Sequence, residues 1–132
     1  MSDFELVKES FKRCGSSDGF YDTFYNLFLS KSEEIAPFFS GTEFKKQKKL
    51  LKATITTMIR FPLDHKGTQT TLAMVAKTHK TDSYNIKPEL YSLWLDSLCE
   101  TVKEHDPDIT PEIEVQWRNY MQEAINIILS KY

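Results

Sequence analysis

The sequence has few of the features that mark an exported, membrane-spanning or nucleic-acid-binding protein. No apolar run approaches the roughly 18 residues that a membrane helix needs. The N-terminal sequence, MSDFELVKES, contains no apolar signal core, so we expect no export. The net charge is −2, and nucleic acid is disfavoured as the main partner because neutralising phosphates requires an excess of clustered Lys and Arg. These features predict a cytoplasmic protein with no membrane partner.

Metal-binding and disulfide patterns are also scarce. Cys14 and Cys99 form neither a disulfide framework nor a metal knuckle, so we expect both to be reduced thiols. The three histidines are His65, His79 and His105, and the sequence has no CxxC, no HExxH and no tight Cys/His cluster. The usual local spacing of a zinc site is therefore missing.

The sequence does contain apolar residues at helical spacing, interrupted by short polar breaks. The only β-branched cluster, Thr54 to Thr57, lies inside a helical period, which predicts an all-α fold of about six or seven helices. No repeat or linker divides the chain, so we expect one domain over residues 1–132. The predicted helical segments are Asp3 to about Arg13, Asp18 to about Leu29, Glu33 to Phe39, a helix with Thr42 as N-cap that ends at Pro62, about Gln69 to Lys80, a helix with Pro88 in its first turn that is broken at His105, and a last helix that starts at Thr110-Pro111.

His79 is the histidine with the most informative position. Leu72, Val75 and Ala76 precede it by seven, four and three residues, which places His79 on the apolar face of its helix. One interpretation is a buried histidine bonded to a backbone carbonyl. The other is a metal ligand, because neutral imidazole is a common ligand of haem iron. His65 and His105 fall in predicted breaks, where we expect them to be exposed.

Two polar side chains could face such a histidine across an apolar slot. Tyr25 lies within an aromatic stripe, and Gln47 lies one turn before Leu51. Both positions are also compatible with ordinary boundary residues. A hydroxyl and an amide near an open iron site would suit hydrogen bonding to dioxygen. The lysines around Gln47 are expected to form a solvated helix face, and Lys48, or another lysine at the pocket mouth, is a candidate partner for haem propionates.

Nearly the whole chain resembles bacterial single-domain globins, which are related to the globin part of flavohaemoglobins and of globin-coupled sensors. The resemblance rests on the ordered segments FYNLFLSKSEEIAPFF, GTEFKKQKKLLKATI, AMVAKTHKTDSYNIKPELY, LYSLWLDSL and ITPEIEVQW. It implies a globin fold whose helices surround a haem pocket. The implied cofactor is haem b, with its iron held by His79.

The resemblance also implies roles for the other site residues. Tyr25 matches the distal tyrosine and Gln47 the distal glutamine, both of which face the gas ligand. The remaining positions, implied to contact the cofactor or support its ligand, are Phe39, Leu51, Val75 and Tyr91. In flavohaemoglobins a glutamate joins the tyrosine matched by Tyr91 in polarising the proximal histidine. The position of that glutamate falls at about Tyr132, which is not an acid. The missing carboxylate predicts weaker peroxidase chemistry.

The function implied is reversible binding of a diatomic gas, such as dioxygen, nitric oxide or carbon monoxide, at the His79-ligated iron. The same distal pair would serve a nitric oxide dioxygenase, so the sequence leaves open whether the protein is an enzyme. That activity would need a separate reductase, because we expect no reductase domain after the globin segments. A third alternative is a gas- or redox-sensing module that acts through a partner.

Overall fold

A computed structural model describes residues 1–80 and 86–131, and the regular elements in these ranges are all helical. This confirms the predicted all-α fold. The helices are α1 (Asp3–Cys14), α2 (Asp18–Ser30), a 3-10 helix (Ala36–Phe39), α3 (Phe44–Arg60), α4 (His65–Lys80), α5 (Glu89–His105) and α6 (Pro111–Ser130). Within the same residues, no helix is both long and apolar enough to cross a membrane.

The start of α6 follows its sequence signal, whereas the start of α3 does not. Thr110 accepts a hydrogen bond from the Ile113 amide at 3.2 Å, and Pro111 occupies the first turn. Thr42 was expected to cap α3, but that prediction is wrong because Glu43 is the N-cap residue. The amide of Thr42 donates to the carbonyl of Phe39 at 3.0 Å, so Thr42 still belongs to the turn that follows the 3-10 helix.

Helix α4 begins four residues earlier than the prediction of Gln69. Asp64 caps it, since its carboxylate accepts from the Gly67 amide at 2.9 Å and its carbonyl accepts from the Thr68 amide at 3.1 Å. A Cβ at position 67 would collide with the Asp64 carboxylate, so a larger residue there would displace this side chain from its capping position. His65 is therefore the first residue of a helix and not part of a break, although its side chain is exposed as expected.

The core is formed mainly by large side chains from α2, α5 and α6. Phe20, Phe24 and Trp117 are fully buried, and rings from α1 and α2 meet edge to face around them. Helix α2 packs on α5, while α6 contacts α1, α3, α4 and α5. Helices α3 and α4 touch each other and α6, and the space that remains between this pair and the rest of the bundle becomes the cavity described below.

A buried polar network joins α1 to the turn between α5 and α6. The Asp106 carboxylate accepts from Ser10 Oγ at 2.6 Å and from Arg13 at 2.7 and 2.9 Å. Trp117 Nε1 in turn donates to Ser10 Oγ at 2.9 Å. Burial alone would raise the pKa of Asp106, but the hydrogen bonds from Arg13 and Ser10 outweigh it and lower that pKa. The ionised Asp106 carboxylate therefore contributes to the stability of the folded protein.

His105, next to this network, departs from the prediction of exposure. It is the last residue of α5 and is only partly accessible. Its Nε2 lies 2.8 Å from Thr23 Oγ1, and its ring meets Phe20 edge to face. Because α2 packs directly on α5, the end of α5 is covered by side chains of α2, which periodicity within α5 could not reveal.

We predict that Asp106→Asn lowers the free energy of unfolding by about 2–4 kcal/mol, because Arg13 loses a buried charged partner. Urea denaturation measures this loss. The lowered pKa means that the Asp106 contribution is present above the ordinary pKa of 3.8 and is lost as the pH falls below it. The difference between wild type and variant should therefore shrink in acid. Asp108→Asn is the matched control, since that side chain is 72% exposed, and an equal loss there would contradict the assignment.

Candidate functional site

A cavity of about 480 Å³ lies between α3 and α4 and reaches α2, α5 and α6. This volume falls within the range of roughly 300–1,000 Å³ typical of ligand pockets. Most of its wall is apolar, and no carboxylate or lysine from the described part of the chain lines it. The apolar lining residues are Phe24, Phe28, Ile35, Phe38, Phe39, Leu50, Leu51, Ala53, Met58, Met74, Val75, Ile86, Leu90, Trp94, Ile125 and Ile128.

His79 lines the cavity from the last turn of α4, and its ring is held by one specific contact. Its Nδ1 lies 2.6 Å from the hydroxyl of Tyr91 in the first turn of α5. Nε2 has no hydrogen bond to the described residues, so it is the ring nitrogen available to a cavity ligand. The tautomer in which Nδ1–H donates to Tyr91 leaves the Nε2 lone pair free. Burial lowers the pKa of His79, which keeps the imidazole neutral, as a metal ligand must be.

The backbone that carries His79 is fixed as well. The amide of Ile86 donates to the carbonyl of His79 at 2.8 Å, which satisfies one of the carbonyls left open at the end of α4. Ile86 also contributes its side chain to the cavity wall. The predicted polar turn at 81–87 falls largely on residues 81–85, which lie outside the described residues.

On the α2 side of the cavity, Tyr25 provides a buried hydroxyl. The rings of Phe39 and Phe44 meet it edge to face at 5.6 and 5.3 Å between centroids. Burial raises the pKa of Tyr25 to about 12, so it stays protonated near neutral pH and can donate a hydrogen bond. The nearest acceptor is the Gln47 carbonyl at 3.5 Å. Because that distance is long, the hydroxyl can turn toward a better acceptor in the cavity.

All the predicted site residues line this one cavity: Tyr25, Phe39, Gln47, Leu51, Val75, His79 and Tyr91. The sequence analysis missed a set of hydroxyl side chains in the same wall, which are Thr42, Thr54, Thr57, Thr71 and Thr78. Thr54 and Thr57 follow Gln47 by seven and ten residues, so helical spacing could have placed them on the same side of the helix as Gln47. Lys48, a candidate partner for haem propionates, forms an ion pair with Asp22 of α2. Residue 132 is not described.

The sequence model of the Globin family matches residues 22–128. The chain belongs to the globin family. Its structure is similar to the crystal structure of PA3967 from Pseudomonas aeruginosa PAO1, a protein described as structurally highly homologous to a human hemoglobin. The TM-score is 0.91 at 36% sequence identity, over 99% of this chain and 98% of that one. A search of curated proteins finds no match. Globins typically bind haem and diatomic gases, and the helices around the cavity are those of this globin fold.

We predict that His79 in the haem-free protein is protonated only below its ordinary pKa of 6.5, because burial disfavours the charged ring. A titration followed by ¹⁵N–¹H correlation spectra of the imidazoles gives the midpoint and the tautomer. The variants His65→Gln and His105→Gln assign the resonances. A midpoint above 6.5 would contradict the burial argument, while Tyr91→Phe should change the Nδ1 shift if the 2.6 Å contact persists in solution.

Proposed function

We propose that this globin binds haem b through His79 and reversibly binds dioxygen, or another diatomic gas, in the cavity. The observation that carries the proposal is that the half-buried His79 and the buried Tyr25 line the same apolar cavity. His79 presents a neutral imidazole with an uncommitted Nε2, and Tyr25 presents a protonated hydroxyl. When bound, haem supplies a ferrous iron with one open coordination position for the gas.

The cavity fits a large, flat, mostly apolar group. Phe39, Leu51 and Val75 offer apolar contact area, and burying that area against a ring system is favourable by about 25 cal/mol per Å². The Tyr91 hydroxyl orients the His79 ring and makes it a better donor to iron, as outer partners of ligating histidines do. These residues hold the cofactor and set its orientation, and they take no part in bond making themselves.

Tyr25 and Gln47 would face the gas. A buried phenol donates a hydrogen bond to a polarised dioxygen molecule and slows its release. Gln47 lies at the same wall, and its half-buried amide is a second donor. Carbon monoxide carries little negative charge on its outer atom, so the same donors discriminate in favour of dioxygen.

We predict that the purified protein takes up hemin one to one and gives a Soret band that shifts on reduction and on addition of carbon monoxide. His79→Ala should weaken hemin affinity by at least about tenfold, because a metal–ligand bond and its oriented ring are lost. His65→Ala is the control on the same helix, since that side chain is exposed. A parallel experiment displaces an apolar fluorescent dye from the haem-free cavity with hemin.

Failure of hemin to bind wild type would overturn the cofactor assignment. Equal binding by wild type and His79→Ala would overturn the ligand assignment while leaving the cofactor. Because His79→Ala could unfold the chain, circular dichroism is recorded first, and added imidazole should restore the spectrum of a folded variant. Val75→Trp, which fills the cavity, should block both hemin and the dye.

We predict that Tyr25→Phe raises the dissociation rate of dioxygen about tenfold, since one hydrogen bond of roughly 1–2 kcal/mol is lost. Stopped-flow displacement of dioxygen by carbon monoxide measures the rate. Tyr21→Phe is the matched control, because Tyr21 lies one turn away and donates to the Gly15 carbonyl at 2.7 Å instead of lining the cavity. An unchanged rate in Tyr25→Phe would refute the assigned role.

A further inference from the structure

Two tyrosines of α2 have hydroxyls that are held in different ways. Tyr21 donates to the Gly15 carbonyl at 2.7 Å, a short bond that fixes its hydroxyl. The contact of the Tyr25 hydroxyl within the described part of the chain is the long one, 3.5 Å to the Gln47 carbonyl. The position of the Tyr25 hydroxyl oxygen is therefore set mainly by the side chains that pack on its ring.

Three aromatic rings pack on Tyr25, and each meets it edge to face. The distances between centroids are 5.0 Å to Phe24, 5.3 Å to Phe44 and 5.6 Å to Phe39. Phe24 is the neighbour of Tyr25 in α2 and moves with it, so it cannot fix the ring relative to the other walls of the cavity. Phe39 and Phe44 belong to other elements, and edge-to-face pairs constrain the orientation of a ring as well as its position.

Phe39 and Phe44 are brought together by the turn between the 3-10 helix and α3. The Thr42 amide donates to the Phe39 carbonyl at 3.0 Å. Gly41 has a φ of 78°, a left-handed conformation that glycine adopts without steric cost. Across this turn the rings of Phe39 and Phe44 stack at 6.0 Å, with 24° between their planes. We call this stacked pair the phenylalanine clamp, because both of its rings contact Tyr25.

Phe44 is the member of the clamp that links Tyr25 to α3. It is the first residue of α3 and lies three residues before Gln47, which lines the cavity. Phe44 itself is not among the described residues of the cavity wall. An ion pair of Lys48 with Asp22 joins the same two helices, but the side chains are 26% and 57% exposed, and pairs so open to water contribute little. The ring contact of Phe44 is thus the stronger link between α2 and the start of α3.

We propose that Phe44 is a positioning residue of the gas-binding site, which holds the Tyr25 ring at a fixed place relative to Gln47 so that both donors meet the same gas molecule. This inference rests on the proposed function of the cavity. Phe44 acts through Tyr25 and does not contact the gas itself. Without the Phe44 ring, Tyr25 gains orientations in which its hydroxyl no longer points at the bound gas. Release of the gas is thereby tuned from outside the cavity wall.

The test is a double-mutant cycle on the hemin-loaded protein, with Tyr25→Phe and Phe44→Leu made alone and together. Stopped-flow displacement of dioxygen by carbon monoxide gives the dissociation rate. Phe44→Leu should raise that rate about threefold in the presence of Tyr25, because losing one aromatic pair loosens the donor without removing it. The same change should leave the rate unaltered when residue 25 is already phenylalanine.

Two further variants separate positioning from general packing. Phe44→Tyr keeps the aromatic ring and should retain the wild-type rate. Phe11→Leu is the matched control, since that half-buried ring also makes two edge-to-face contacts, with Phe20 and Trp117 in the core. An effect of Phe44→Leu that persists in Tyr25→Phe would overturn the proposal, and so would equal effects of Phe44→Leu and Phe11→Leu or an unchanged rate in Phe44→Leu.

A readout that does not depend on haem is the contact between the Tyr25 and Phe39 rings in the haem-free protein. Nuclear Overhauser effects between these rings should weaken in Phe44→Leu and persist in Phe44→Tyr and in Phe11→Leu. Undiminished effects in Phe44→Leu would overturn the proposal, because Tyr25 would then be held without Phe44. Failure of wild type to bind hemin would refute the proposed function, and the ring contacts would still show whether Phe44 positions Tyr25.

Discussion

The hydrogen bond between His79 and Tyr91 is the contact on which the candidate site depends. At 2.6 Å it joins the last turn of α4 to the first turn of α5, two helices that residues 81–88 separate in sequence. It commits Nδ1 and thereby selects Nε2 as the nitrogen available to the cavity. The Ile86 amide, bound to the His79 carbonyl, restrains the same residue through its backbone. Ring and main chain are thus positioned independently.

The cavity and its surroundings differ sharply in electrostatic character. The described wall has no formal charge near neutral pH, because His79 is kept neutral and Tyr25 protonated by the same burial. The charges lie outside, as exposed lysines on α3 and α4. This separation follows from desolvation, since an unpaired charge in the wall would be costly, whereas an exposed lysine stays in water.

The sequence predicts elements better than it predicts contacts between them. The helical period placed His79 on an inner face, and the Thr110-Pro111 start was confirmed by the Ile113 amide. The start of α4 was missed because Gly67 was taken for a break between helices. In the structure Gly67 lies in the first turn of α4, which Asp64 caps through both its carboxylate and its carbonyl. The proximity of Tyr91 to His79 came from family resemblance alone. No local rule relates residues on two helices that meet only after folding.

Differences in packing among the helices explain why the site lies between α3 and α4. Helices α1, α2, α5 and α6 are joined by the aromatic core and the Asp106 network, contacts that do not involve the cavity. Helix α4 has few fully buried apolar side chains, chiefly Leu72 and Ala76. Thr54, Thr57 and Thr78 bond back to carbonyls four residues earlier, an arrangement that slightly weakens helices. A ligand that fills the cavity supplies the apolar contact this pair lacks, so its binding free energy also becomes stability of α3 and α4.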